Sequence, residues 1–233
     1  ANINNTAYEE RLGTDRMLPL VLRMAMPSVA AQIVNLLYNL VDRIYIGHIP
    51  GIGTDALAGI GVTGAIIILI SAFSAIVSGG GAPLAAIALG QGDRKRAGQT
   101  LGNGFVLLLI FTLLTTTLTY LFMEPLLMFT GASENTVGYA KDYLSIYLLG
   151  TLFVETSVGL NTFINTQGRP AIAMYSVLIG AVLNIILDPI FIFVMGMGVR
   201  GAALATVISQ ACSALWIVSF LTSKRASLRL EFR

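Results

Sequence analysis

Apolar residues fill this chain in runs of spanning length, broken by short clusters of turn formers. About 20 apolar residues carry a helix across the roughly 30 Å hydrocarbon layer of a bilayer. Six stretches reach that length: 17–47, 56–90, 99–123, 138–166, 170–195 and 199–222. Between them lie IPGIGTD, GQGDRKRAG, EPLLMFTGASEN, TQGRP and GMGVRG, segments rich in turn residues. The pattern predicts an all-α integral membrane protein of six transmembrane helices. The second stretch exceeds one membrane thickness, so it is expected to tilt or bend. Its SGGGAP run, Ser78 to Pro83, is the natural place for a bend.

Composition agrees with this reading. Hydrophobic residues make up 55% of the 233 positions and charged residues 11%, against about 25% charged in an ordinary soluble domain. Mean hydropathy is +0.80. The one cysteine, Cys212, lies in an apolar segment and reads as an inert buried thiol, with no disulfide framework within the chain. The first 16 residues are polar and lack a signal-peptide core, so the first hydrophobic helix is expected to act as an uncleaved anchor.

Basic residues sort by side. Arg11, Arg16 and Arg23 stand at the start, Arg94, Lys95 and Arg96 in the second loop, Arg169 in the fourth, and Lys224, Arg225, Arg229 and Arg233 at the end. The opposite side holds Arg43, Lys141 and Arg200. The positive-inside rule therefore puts both termini in the cytoplasm of a multi-pass inner (plasma) membrane protein. Three regions are expected: a cytoplasmic segment 1–16, a transmembrane lobe 17–222, and a basic tail or linker 223–233.

Polar residues inside apolar helices are costly, by roughly 2.5–3.5 kcal/mol for a charged side chain at the helix centre, and mark function when they cluster. The first stretch carries Gln32, Asn35, Tyr38, Asn39 and Asp42; positions 35, 38, 39 and 42 follow one helix face. Amides alone would serve as interhelical glue, but a stripe that ends in an aspartate points to a site. The fifth stretch carries Asn184 and Asp188 one turn apart, followed by Pro189. That proline removes a backbone donor and frees the carbonyl of Ile185, adding a hard oxygen beside the carboxylate. Pro27 does the same to the carbonyl of Arg23 and marks a kink. The fourth stretch adds Glu155, Asn161 and Asn165, and the sixth Thr206 and Gln210. Glu155 is expected to be a neutral acid bonded to Thr151 or Thr162.

Two acids in one dry pocket do not readily hold two charges. They share a proton or bind a cation, and Na⁺ is the cation that suits hard oxygen ligands. The residues leave the choice between H⁺ and Na⁺ open. No HExxH, GxSxG or phosphate-cradling GxxxxGK[ST] occurs, and the single histidine, His48, falls at the end of the first stretch. The chain reads as no enzyme, with no cofactor and no nucleic-acid partner.

YNLVDRIYIG, GQGDRKRAGQTLG, NTQGRP and NIILDP together resemble the N-terminal half of a MATE (multidrug and toxic compound extrusion) transporter of the prokaryotic branch, over about residues 15–222. The resemblance implies a cation-coupled antiporter that exports amphiphilic, often cationic molecules. It implies a cation or proton site of Asp42, Asp188, Asn184, Asn161 and Thr206, with a possible Na⁺ on Asp42, Asp188, Asn184 and Thr206. Tyr38 would lie beside it, and Pro27 would let the first helix bend. Asn35, Asn39, Glu155 and Gln210 are possible supporting residues. MATE transporters have twelve helices in two lobes, so the chain is expected to be one lobe. Its partners are then membrane lipid and either the missing C-terminal lobe or a second copy of this half. Two other readings stand beside it. A lipid-linked saccharide flippase of the same superfamily would be expected to carry a cationic lumen. A non-transporting membrane scaffold has no need of intramembrane acids.

Overall fold

The computed structural model describes residues 17–223 and 226–229. Arg11, Arg16, Lys224, Arg225, Arg233 and the segment 1–16 lie outside the described residues. Every regular element among those described is a helix: α1 (Met17–Gly47), α2 (Gly53–Gly90), α3 (Arg94–Leu121), α4 (Met123–Phe129), α5 (Val137–Thr166), α6 (Pro170–Val194) and α7 (Val199–Thr222). All except α4 are long and apolar enough to cross a membrane.

The predicted spans coincide with these six helices, with differences at their ends. α3 starts at Arg94, five residues before the expected 99, because Asp93 caps it: its carboxylate accepts from the backbone N–H of Arg96 at 2.9 Å. Gly92, at φ +78°, turns the chain into that cap. The stretch EPLLMFTGASEN, expected as a loop, begins with the short helix α4. Leu127 anchors α4 against Ile66, Ile70 and Leu144. The expected break in α2 takes the form of a wider turn: Val77–Gly81 winds i→i+5 and the helix then continues to Gly90.

α5 is the central helix, buried along most of its length and packed against α7, α2 and α3. Small residues allow the close approaches. A Cβ on Gly150 would lie 2.3 Å from Val207 of α7, and one on Gly159 would lie 2.3 Å from Leu108 of α3. α6 packs on α7 and carries α1 on its other side. The outward faces are apolar, with Leu113, Leu149 and Ile68 each more than 70% exposed. This is the girdle that lipid covers.

After α7 the chain folds back. Gln167 Oε1 accepts from the backbone N–H groups of Ser227 (2.9 Å) and Leu228 (3.2 Å). Leu228 is fully buried among Leu101, Ile164 and Leu221. The basic composition of 223–233 concealed this anchor.

Candidate cation site

α1 and α6 bring the two aspartates together. Ile46, fully buried, lies one turn beyond Asp42 on the same face, and Tyr45 meets Phe193 of α6 edge-on at 6.3 Å. These contacts fix the roll of α1 and turn Asp42 inward. On α6 the buried face runs through Ala173, Ser176, Gly180, Asn184 and Asp188, a small-residue and polar stripe at helical spacing. Beyond Pro189 the backbone switches to i→i+5 winding over Ile190–Val194.

The carboxyl groups of Asp42 and Asp188 lie within hydrogen-bonding reach of each other. Asp188 is fully buried and Asn184 nearly so. Asn184 Nδ2 stands 3.3 Å from both Asp188 Oδ1 and Thr206 Oγ1. Three buried acceptor oxygens have no hydrogen-bond partner: Asp42 Oδ1, Asp188 Oδ2 and Asn184 Oδ1. Buried acceptors of this kind are costly unless a proton or a cation satisfies them. Tyr38 lies at the edge of the group, in side-chain contact with Asn39 and Gln210.

Tyr143 of α5 completes the pocket. It is buried, with its side chain within reach of Thr206 and close to Asp42. Tyr147 stacks on it with ring centroids 6.0 Å apart. Sequence reasoning missed both tyrosines. Their signal was present: positions 143, 147, 151 and 155 continue one i, i+4 series that ends in Glu155.

Asn161 sits elsewhere. Its Nδ2 donates to Ser176 Oγ at 3.0 Å and lies 3.3 Å from the carbonyl of Ala173. Ser176 is eight residues before Asn184 on α6, about 12 Å along the axis at 1.5 Å per residue. Asn161 instead lines a cavity of about 230 Å³ with Gln32, Asn35 and Asn165, nearer the other end of the bundle. The buried Oδ1 atoms of Asn161 and Asn165 have no hydrogen-bond partner.

The stripe on α1 therefore divides. Around the helix axis Asn39 stands about 40° from Asn35 while Asp42 stands about 20° to the other side. Asp42 reaches the acid pocket and Asn35 the cavity. Asn39 is exposed, with its Nδ2 bonded to the carbonyl of Asn35 at 2.7 Å. Pro27 lies one turn before Ala31 and Gln32 of the cavity wall. Glu155 does not bond Thr151 or Thr162. It turns towards α2 and takes both its hydrogen bonds there, from Ser71 and Ser74. Thr151 bonds the carbonyl of Tyr147 at 3.1 Å instead.

Comparison with known proteins agrees with this architecture. The MatE family model matches residues 27–190. The multidrug export protein MepA of Staphylococcus haemolyticus is 28% identical over 213 residues, covering 91% of this chain and 47% of its own. A protein of Shewanella oneidensis named FAD transporter is 29% identical over 208 residues, with 87% and 44% covered. A crystal structure of MATE in the bent conformation superposes with a TM-score of 0.83 at 29% identity, covering 91% of this chain and 47% of that one. The chain thus spans just under half the length of these relatives, as one lobe does. Six apolar helices and a matching family model over most of their length make this an integral membrane protein that belongs to the MatE family, the family of the MATE multidrug efflux transporters.

Proposed function

We propose that this lobe carries the coupling-ion site of a cation-driven multidrug antiporter. The observation behind the reading is the apposition of Asp42 and Asp188, with three unsatisfied acceptor oxygens in one buried pocket. A proton or Na⁺ supplies the positive charge that such a group of oxygens needs. Asn184 and Thr206 orient the acids, and Tyr143 and Tyr38 close the pocket.

The cavity beside Asn35 and Asn161 is this lobe's share of the cargo cleft. Its volume, about 230 Å³, is below the 300–1,000 Å³ usual for a whole drug-sized site. A second lobe, or a second copy of this half, supplies the rest. Loading the pocket between α1 and α6 changes how α1 seats on α6, and Pro27 lets the cavity half of α1 follow. That links ion binding to cargo release. Both termini lie in the cytoplasm in this reading, with the basic segment 223–233 as a tail or inter-lobe linker.

Cationic cargo suits a lobe whose interior offers acids and amide oxygens, while its arginines sit at helix ends. Cells that produce the complete transporter are expected to export a fluorescent lipophilic cation and to leave an anionic dye of similar size inside. Export of both at equal rates, or of neither, rejects the cargo assignment.

A further inference from the structure

We propose that Glu155, seated on Ser71 and Ser74, is a second proton-holding site, on the seam between α2 and α5 and separate from the Asp42–Asp188 pocket. Glu155 is 1% exposed. Ser71 Oγ bonds its Oε1 at 2.7 Å and Ser74 Oγ bonds its Oε2. The two serines stand three residues apart on α2, so one helix face presents two hydroxyls to the two oxygens of one carboxyl group. This is a built seat, shaped to the group it holds.

The surroundings select a proton. α2 faces Glu155 with Ser71 and Ser74, and its single ionisable residue, Asp55, lies in its first turn, far along the axis. The ionisable residues of α3 are Arg94, Lys95 and Arg96 in its first turn and the exposed Tyr120 near its far end. On α5 itself Tyr147 is the titratable neighbour; it lies within electrostatic reach of both Glu155 and Tyr38. The ion pairs Lys141–Glu124 and Arg200–Asp142 involve other acids. An ionised Glu155 would thus hold its charge on two neutral hydroxyls in a dry seam, an expensive arrangement.

The same two serines satisfy the neutral acid. Its O–H donates to one serine oxygen, and that serine's hydrogen turns to a carbonyl of its own helix. The other serine donates to the remaining carboxyl oxygen. Taking up a proton therefore needs only one serine hydroxyl to rotate and no movement of heavy atoms. Leu108 wedged against Gly159 and Phe73 stacked on Phe111 at 5.1 Å close the seam around α2, α3 and α5. The i→i+5 turn at Val77–Gly81 begins three residues after Ser74, so the charge on Glu155 bears on the most loosely wound part of α2. Tyr147 and Tyr143, stacked on α5, stand between the two acid sites.

The role of this site in a transport cycle rests on the proposed antiport, but its test does not. Infrared difference spectra between acid and alkaline buffer are recorded on the purified full-length protein in lipid bilayers. The background is the Asp42→Asn/Asp188→Asn variant, so that the aspartate pocket is silent. The protonated-carboxyl absorption that appears on acidification is expected to keep a buried-carboxyl component in this background and to lose that component when Glu155→Gln is added. Ser71→Ala/Ser74→Ala is expected to shift that component to higher frequency, because the hydrogen bonds are gone. This second variant reads the site even if Glu155→Gln fails to fold. A background with no pH-dependent buried-carboxyl component, or a component that both added variants leave unchanged, overturns the proposal.

Discussion

Asn184 Nδ2 stands 3.3 Å from Asp188 Oδ1 and at the same distance from Thr206 Oγ1, so one amide ties α6 to α7 beside the acid pair. Its own Oδ1 is buried and unpartnered. Asn184→Leu removes the donor and leaves Asp188 without a bond from its own helix. Loss of a hydrogen bond to a charged group costs about 1.5–3 kcal/mol, roughly 10- to 100-fold in affinity. We expect the half-saturating concentration of the coupling ion to rise by that factor. Asn184→Ser, which keeps a donor and an acceptor, should recover part of it. Titration of ion-driven transport checks both.

Tyr143 lies beside the acid pair, with its side chain within reach of Thr206. Tyr143→Phe keeps the ring and its stacking on Tyr147 but removes the hydroxyl. A net loss of about 1 kcal/mol, or roughly fivefold in ion affinity, is expected with folding intact. Tyr143→Ala should instead destabilise the bundle by about 3–5 kcal/mol through the cavity it leaves in its core cluster with Ile46, Tyr147 and Ile192. A thermal melt beside the ion titration separates the two outcomes.

The six spans were legible in the sequence because a bilayer demands long apolar runs, and the turn clusters punctuate them. The pairing of Asp42 with Asp188 followed from acids too costly to keep idle. Other parts were hidden for identifiable reasons. Asn161 has the same chemistry as Asn184, and only its axial height, set by how α5 and α6 slide along one another, moves it to the cavity. Glu155 could have turned towards Thr151 on its own helix; the roll of α5 against α2 decided for Ser71 and Ser74. Leu228 sits in a tail that reads as a polar linker, and a single buried leucine gives no periodic signal.

Gly150 and Val207 mark a tight contact between α5 and α7. A methyl group at Gly150 meets Val207 Cγ2 at 2.3 Å and its Cβ at 2.8 Å, so α5 and α7 must separate. Gly150→Ala is expected to lower stability by about 1–3 kcal/mol, the usual cost of overpacking. Gly79 and Gly80 have nothing within 4 Å of an added Cβ. Alanine at either should leave the melting temperature unchanged or raise it slightly, since Ala is the better helix former by about 1 kcal/mol. Melting curves of the purified variants make the comparison.

Gln167 holds the returning segment by two backbone bonds, and Leu228 fills the core beneath it. Leu228→Ala should cost about 2–5 kcal/mol if the segment stays in place, or less if it swings away. Gln167→Ala removes both acceptor bonds at about 1 kcal/mol each. Amide hydrogen exchange at Ser227 and Leu228 should quicken in both variants, with little change in the middle of α5.

The claim at the centre of this account is that Asp42 and Asp188 together hold the ion that drives export. The direct measurement is drug transport by the complete protein in liposomes, under an imposed proton or Na⁺ gradient, for wild type and for Asp42→Asn and Asp188→Asn. We expect wild-type transport to rise with one of these gradients and each variant to lose that dependence while still folding and binding cargo. Variants that export at the wild-type rate with the wild-type dependence on the gradient would contradict the account.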